Sequence, residues 1–207
     1  MGSLGKRWSW IDTISGRVDF LYRNIEQVKS TIEKSKDGIF ETDFEQQPPY
    51  GFSSVIYLAE THYCIPLYDP DKVIQELKME VKDYPPKLKQ TIIQQSLWFA
   101  EFTLWQADYF AEKFDVYNTV GCFTQALKKI VDALFAINEL YPIGDKKAIQ
   151  ILEQTTKRPE KFGEKSESIL STNKSNLVSK VKELRDLFEQ TVSLANGTYY
   201  PFFILKR

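Results

Sequence analysis

The stretch at residues 119–141, TVGCFTQALKKIVDALFAINELY, predicts the helix around which the rest of the chain is organised. Large apolar residues recur along it at steps of four, three, four and three, at Phe123, Leu127, Ile130, Leu134 and Ile137. This spacing places their side chains on one face of a helix. Other apolar residues widen that face, among them Val120, Val131 and Phe135. An apolar face this wide is typical of a helix with packed neighbours on more than one side.

The residues after this helix predict where it ends. Pro142 cannot continue a helix, and Gly144 permits a left-handed turn. A polar and cationic cluster therefore gathers at the helix end, formed by Asn138, Tyr141, Lys146 and Lys147. This cluster is the most function-like feature of the sequence, although lysines at a helix end are usually no more than a solvated cap. From the residues alone, both interpretations stay open.

The composition predicts a folded protein without a strong overall field. Hydrophobic residues make up 43% of the 207 positions, which is enough for a substantial core and argues against intrinsic disorder. The 27 basic and 28 acidic residues nearly cancel. The chain as a whole therefore does not attract nucleic acid or anionic lipid, and any anion site has to be local.

Cysteine usage and apolar run lengths indicate the compartment. Cys64 and Cys122 both lie in apolar sequence and are expected to be buried free thiols in a reducing environment. No apolar run approaches the length that spans a bilayer, and the first residues lack the apolar core of a signal peptide. We therefore expect a cytoplasmic protein with no membrane partner.

Near the start of the chain, two short aromatic and aliphatic runs around Gly16 predict a β-hairpin. Asp19 interrupts the second run. It is either a solvent-facing acid on an edge strand or a carboxylate held on a rigid strand, as metal sites require. The residues alone favour the first interpretation.

The remaining elements of the front segment are two helices and a strand. Helices are predicted at residues 24–35 and 52–64. The extended, proline-containing run at residues 65–70 predicts a last short strand, because proline biases its neighbours away from helix. The sequence thus predicts a boundary near residue 70, between an α/β segment at 1–70 and a helical domain at 71–207.

The second half of the chain predicts a helical bundle. A long helix at residues 87–114 should pack antiparallel to the helix at 119–141. An aromatic stripe lies along one face of it and is predicted to be core, at Trp98, Phe102, Trp105 and Tyr109. Glu101 and Asp108 between these aromatics are candidates for a general base, but we expect them to face solvent. A final amphipathic helix is predicted near residues 177–192.

Established catalytic motifs are absent from the sequence. There is no Walker loop, no G-x-G-x-x-G, no CxxC and no H-E-x-x-H. His62 is the one histidine, and no serine lies in a nucleophile-elbow pattern, so a histidine-based triad is not indicated. A lone histidine beside Tyr63 is more often packed or half-exposed than a metal ligand.

Several segments together resemble a known family. The run GRVDFLYR at 16–23 resembles the strand that carries the third acidic residue of nucleotidyltransferases of the DNA polymerase β superfamily. The runs GFSS at 51–54, LAE at 58–60 and PLYDP at 66–70 resemble the segments after that strand in nucleotidyltransferase-like proteins with a DUF4037-type helical domain. The run DALFAINELY at 132–141, with Asp145 and Lys146 after it, resembles the central motif of that domain. Antibiotic nucleotidyltransferases share this two-part plan, and the match covers most of residues 8–165.

The resemblance implies the transfer of a nucleotide from a nucleoside triphosphate, and it gives roles to particular residues. In a complete relative, Asp19 would help hold Mg²⁺ against a nucleoside triphosphate. Asn138, Tyr141, Lys146 and Lys147 would line the face that meets the nucleotide or its acceptor. The lysines would neutralise phosphate charge, and the tyrosine would stack on a base.

The sequence departs from the family pattern in one important respect, at the start of the active site. The family's active site begins with a Gly-Ser turn followed by a D-x-D pair on a strand, and the residues before Asp19 offer only Asp12. We therefore expect a nucleotidyltransferase-like protein that is inactive or incomplete as given and that depends on a separate catalytic segment. The alternatives are a non-catalytic helical module that binds a partner or itself through its aromatic faces, and a truncated product with no selected activity. An unpaired strand at residues 17–22 would further predict self-association.

Overall fold

The computed structural model describes residues 7–47 and 49–201. Within them lie eight helices and four strands. In chain order these are β1 (Arg7–Thr13), β2 (Gly16–Tyr22), α1 (Ile25–Lys36), β3 (Thr42–Asp43), β4 (Phe52–Ser53), α2 (Val55–Tyr63), α3 (Val73–Glu80), α4 (Pro86–Glu112), α5 (Val116–Ile137), α6 (Ala148–Leu152), α7 (Phe162–Leu170) and α8 (Leu177–Leu194). The prediction of a mainly helical fold, with strands only in the front segment, is confirmed for the described residues.

The antiparallel pair of α4 and α5 is the centre of the molecule, as predicted. The five residues at steps of four and three along α5 are all buried. Lys89 near the start of α4 pairs with Glu139 just beyond α5 at 2.7 Å, which fixes the antiparallel direction. Helix α8 packs on both α4 and α5, so the wide apolar face of α5 meets neighbours on more than one side.

Helix α5 ends earlier than Pro142 and Gly144 predicted. The last helical residue is Ile137, and Glu139 adopts a left-handed conformation with φ of 56°. The Leu140 N–H then donates to the Phe135 carbonyl at 3.0 Å, and the Glu139 N–H donates to that of Ala136 at 3.1 Å. These two bonds form a Schellman motif, which satisfies the last carbonyls without a glycine.

The predicted hairpin is present and projects from the helical body. Strands β1 and β2 pair antiparallel, with Trp10 opposite Asp19 and Asp12 opposite Arg17. Every side chain described on β2 is exposed. At the base of the hairpin, Arg23 donates two hydrogen bonds to the Glu60 carboxylate on α2, at 2.6 and 2.5 Å.

The strand predicted at residues 65–70 is not formed. Among the described residues no strand lies between α2 and α3, and the side chains of Ile65, Leu67 and Tyr68 are at least 82% exposed. At the end of the run, the Asp69 carboxylate accepts hydrogen bonds from the N–H groups of Ile74 and Gln75 at 3.2 and 2.9 Å. The extended run at residues 65–70 is therefore a loop whose Asp69 caps the N-terminus of α3, not a strand.

The aromatic stripe of α4 was predicted to be core, and this prediction is wrong for three of its four residues. Phe102, Trp105 and Tyr109 are 42%, 51% and 59% exposed. Trp98 is half-buried and packs against the core, as predicted. The helix instead buries the opposite face, whose residues near its middle and end are the smaller Ala100, Leu104, Ala107 and Ala111. Small residues there let α5 and α8 approach closely, and the bulky aromatic face is left outside.

The two acids between those aromatics are not simply solvated, as they were predicted to be. Asp108 pairs with Arg185 of α8, and Glu101 accepts a hydrogen bond from the Tyr199 hydroxyl. Both contacts tie the C-terminal part of the described chain to α4.

Helix α7 was not predicted from the sequence, because the proline-containing run at residues 158–163, which overlaps its start at Phe162, is typical of a loop. Phe162, Ser166 and Ile169 are its buried residues, at helical spacing. The predicted boundary near residue 70 falls between α2 and α3, yet buried residues on both sides of it belong to one hydrophobic core. No helix among the described residues is long and apolar enough to cross a membrane.

Candidate functional site

A pocket lies between the segment at residues 40–56, helix α4 and the second half of α5. Its rim is the loop between α5 and α6. Its empty space is about 730 Å³ with the open mouth included, but only about 60 Å³ can hold the centre of a water-sized molecule, so the enclosed part is narrow. The walls are largely aromatic and aliphatic, with Phe40, Tyr50, Ile56, Tyr84, Ile92, Val131 and Phe135 among them.

The polar groups of the pocket converge on Lys128. Its ammonium lies 2.6 Å from Asp132, one turn along α5, and 3.5 Å from Asp145 in the loop after the helix. Lys129 reaches the other Asp132 oxygen at 3.5 Å. The ring of Tyr50 faces the Lys128 ammonium at 5.8 Å from the ring centroid. Two lysines and two aspartates thus meet at the wall with no net charge.

Pairing keeps this lysine charged in a site that is poor in water. The Lys128 side chain is 18% exposed. Burial alone would lower its pKa, but the carboxylates of Asp132 and Asp145 outweigh burial and hold the pKa above its ordinary value. Burial also raises the pKa of the Tyr50 hydroxyl, to which the charge of Asp145 adds. At neutral pH the Lys128 ammonium therefore stays charged and the Tyr50 phenol stays neutral.

Two of the four residues predicted to line a ligand face are occupied in packing. The Asn138 side-chain amide donates to the carbonyls of Leu134 and Lys157 at 2.8 and 2.9 Å, and its oxygen accepts from the Lys157 N–H at 3.3 Å. Tyr141 is buried, and its hydroxyl donates to the Asp83 carbonyl at 3.3 Å. These side chains join the end of α5 to neighbouring loops.

Tyr141 nevertheless supports the pocket from behind. Its ring stacks on Tyr84 with centroids 4.7 Å apart and an interplanar angle of 22°. Tyr84 is one of the pocket walls. Burial raises the pKa of both phenols well above the usual range. Tyr141 therefore does not line the pocket itself but packs behind Tyr84, which does.

The other two predicted residues, Lys146 and Lys147, are exposed on the rim. Their loop supplies Gly144, Asp145 and Ala148 to the pocket wall. The structure thus places the two cations beside the pocket, although none of the four predicted residues lines it.

Asp19 does not have the neighbours that a Mg²⁺ site needs. It is exposed on β2, and Trp10 is its cross-strand partner. Asp12, the acid expected to approach it, pairs instead with Arg17 at 3.1 Å. Among the described residues, no group of three or more His, Cys, Asp or Glu side chains could hold a metal ion. Because Mg²⁺ takes several oxygen ligands at once, the described residues do not fit this ion.

His62 is likewise placed by packing. One of its ring nitrogens lies 3.0 Å from the Val81 carbonyl, and its ring contacts Tyr63 and Tyr141. It connects α2 to the end of α3, in agreement with the packed alternative.

The sequence reasoning missed Lys128, Lys129 and Asp132, although a signal was present. They are the three charged residues within positions 119–138, a stretch that is otherwise apolar or neutral. Charges that interrupt the most apolar helix of a chain are expected either to face solvent or to pair in a cleft. The distances between Lys128 and its two carboxylate partners identify the second case.

No protein-family model matches the chain, and no curated protein or solved structure matches it either. The resemblance to nucleotidyltransferases therefore rests on short runs of sequence, at residues 16–23, 51–54, 58–60, 66–70 and 132–141.

Proposed function

We propose that the chain is the helical, ligand-binding part of a nucleotidyltransferase-like protein, and that it binds a nucleoside triphosphate at the pocket and its rim. In this proposal Lys146 and Lys147 attract the phosphates, and the nucleoside lies at the pocket mouth beside Tyr50. The chain itself transfers no nucleotide. The acceptor belongs to the same proposal, as a second ligand of the pocket.

The observation that carries the proposal is the double role of one loop. The segment at residues 142–148 supplies wall residues to an aromatic pocket and also carries two adjacent exposed lysines. Phosphate attraction needs local positive charge, and a nucleoside needs an apolar or aromatic surface. The rim and the pocket together offer both.

Lys128 has a different role in the proposal. Its charge is already balanced by Asp132 and Asp145, so it is not the main attraction for a polyanion. It offers a hydrogen-bond donor inside the pocket, and Asp145 offers an acceptor. These groups suit hydroxyl or amine groups of a sugar or of a small acceptor.

A calorimetric titration with each nucleoside triphosphate, with and without Mg²⁺, tests the proposal. We expect Lys146→Ala/Lys147→Ala to weaken binding roughly tenfold, since two exposed ion pairs contribute about 0.2–1 kcal/mol each. We expect Ala148→Phe, at the pocket wall, to weaken it by obstruction. Because rim charges are screened by salt, the wild-type affinity should fall as ionic strength rises.

The matched control for the rim is Lys174→Ala/Lys182→Ala, which removes two exposed lysines on and before α8. It should leave the affinity unchanged. If Lys146→Ala/Lys147→Ala binds the nucleotide as tightly as the control variant does, the two rim lysines have no part in binding. No measurable binding by the wild-type chain to any nucleoside triphosphate would reject the proposal.

A non-catalytic interaction module remains the second candidate function, because the exposed aromatic stripe of α4 favours it. That surface lies on the face of α4 opposite the core, and it would operate whether or not the pocket binds a nucleotide.

A further inference from the structure

The pocket wall carries a buried serine whose hydroxyl has no partner. Ser96 of α4 is 3% exposed and lines the pocket. In the described part of the chain, every fully enclosed side-chain nitrogen or oxygen has a hydrogen-bond partner. The Ser96 hydroxyl has none among the described residues, so its oxygen is open to the pocket space.

Two tyrosines add further hydroxyls to the same space. Tyr50 and Tyr84 line the pocket, and neither hydroxyl has a hydrogen-bond partner among the residues that the structure describes. Burial raises the pKa of both phenols, so at neutral pH each keeps its proton and can donate as well as accept. Polar groups that converge on an otherwise apolar pocket without partners are typical of a ligand site.

The charges at this wall decide which kind of ligand group they can receive. Lys128 and Lys129 balance Asp132 and Asp145. A phosphate placed here would meet two carboxylates, and a ligand ammonium would meet two lysines. A neutral group that both donates and accepts hydrogen bonds avoids both repulsions. A hydroxyl does this in very little space.

The pair of Lys128 and Asp145 is open to such a group. Their contact at 3.5 Å is longer than an ordinary hydrogen bond. Lys128 has three N–H donors, and Asp132 and Asp145 face two of them. The ammonium can therefore donate to one ligand hydroxyl while the Asp145 carboxylate accepts from its neighbour. Two hydroxyls on adjacent carbon atoms satisfy this arrangement.

The size of the enclosed space keeps a nucleobase out of it. Only about 60 Å³ can hold the centre of a water-sized molecule, which is room for a few waters. The hydroxyl edge of a sugar fits into such a space, whereas a flat heteroaromatic ring stays at the mouth beside Tyr50.

We propose that the pocket selects ribonucleotides over deoxyribonucleotides, by receiving the 2′- and 3′-hydroxyls of a ribose between Lys128 and Asp145, with the Ser96 hydroxyl beside them. This inference rests on the proposed function, since it takes a nucleoside triphosphate as the ligand. It adds the sugar which that ligand carries. A deoxy sugar leaves either the ammonium or the carboxylate without its ligand hydroxyl, and this is the physical basis of the selection.

A calorimetric titration of the full chain with the common ribonucleoside triphosphates, and with their 2′-deoxy and 3′-deoxy counterparts, tests the selection. We expect each ribonucleotide that binds to do so about tenfold more tightly than either deoxy form, because the lost hydrogen bond has a charged partner. Equal affinities for ribo and deoxy forms would overturn this inference and leave the proposed function standing. Binding of no triphosphate at all would reject the proposed function, and this inference with it.

Variants test the assigned residues through the ratio of ribo to 2′-deoxy affinity, which a general change in charge leaves unaltered. Asp145→Ala should bring this ratio close to one, and Ser96→Ala should lower it. The matched controls are Asp186→Ala, an exposed acid on α8, and Ser166→Ala, a buried serine on α7. Both controls should keep the wild-type ratio, and thermal unfolding checks that all four variants fold. An unchanged ratio in folded Asp145→Ala would overturn the inference.

Discussion

At the scale of single residues, Lys128 is the group whose surroundings carry the most information. It is a mostly buried cation on the central helix, held by Asp132 at 2.6 Å and Asp145 at 3.5 Å. Taking such a charge out of water is costly, and the two carboxylates offset that cost. The cluster therefore behaves as a unit: removing Lys128 leaves Asp132, among the described residues, with only the more distant Lys129, at 3.5 Å, and takes from Asp145 its ammonium partner.

Substitutions in the Lys128 cluster should change the free energy of unfolding strongly, and their effects should not be additive. Lys128→Met should lower the free energy of unfolding by about 2–3 kcal/mol, and adding Asp132→Asn should recover part of that loss. Urea denaturation of the single and double variants measures the coupling. Lys29→Met, which breaks an exposed pair with Glu26, serves as the control and should change stability by less than about 0.5 kcal/mol.

The same cluster predicts that the folded protein loses stability at alkaline pH. Pairing holds the folded-state pKa of Lys128 above its ordinary value, so the stabilisation is complete below about pH 10.4 and is lost as pH rises through the folded-state pKa. Wild-type stability should therefore fall more steeply in alkali than that of Lys128→Met. Equal slopes for the two chains would contradict this account of the cluster.

At the scale of elements, the joins between helices are set by a few backbone positions. Gly38 ends α1 with φ of 78°, and a Cβ atom there would lie 2.6 Å from the Thr91 hydroxyl and 3.0 Å from the Lys87 carbonyl of α4. Gly38 is therefore needed both for its left-handed backbone and for the close approach of α1 to α4.

Gly197 offers a matched comparison. It has nearly the same φ, 80°, but nothing lies within 4 Å of its Cβ position. Gly197→Ala should therefore cost about 1 kcal/mol from backbone strain alone, and Gly38→Ala about 2–4 kcal/mol, because overpacking adds to it. Chemical denaturation of the two variants measures the difference. Equal costs would mean that α1 does not pack on α4 as described.

The hairpin is the element least integrated with the rest. A two-stranded sheet is only marginally stable by itself, and β1 and β2 have large contacts only with each other. The bidentate pair of Arg23 and Glu60, with Arg23 also over the Tyr57 ring, is its clearest anchor to the helical body.

At the scale of the whole molecule, helical periodicity was sufficient to predict the bundle, but it did not predict which face of α4 lies outside. The steps along α5 identified buried residues directly, because nearly every large side chain there is apolar. On α4 both faces are apolar, and the small residues at Ala100 and Ala107 were the ones that packed. Periodicity alone cannot separate two apolar faces, since the choice depends on how closely α5 and α8 approach.

The candidate site was predicted only in part, for a related reason. The sequence located the loop after α5, with Lys146 and Lys147 on it. The pocket beside that loop also needs residues 40–56, which lie far away in sequence, and their approach is a property of the tertiary fold. The predicted roles of Asn138 and Tyr141 could not be separated from packing roles, because the same amide and phenol groups serve both.

We propose that this chain binds a nucleotide through its helical domain but does not transfer one by itself. Incubation of the full chain with Mg²⁺ and each labelled nucleoside triphosphate, with pyrophosphate as the readout, tests it most directly. We predict no pyrophosphate release, because Asp19 stands among the described residues without the carboxylates that would hold the metal with it. Pyrophosphate release that disappears in Asp19→Ala would contradict the account.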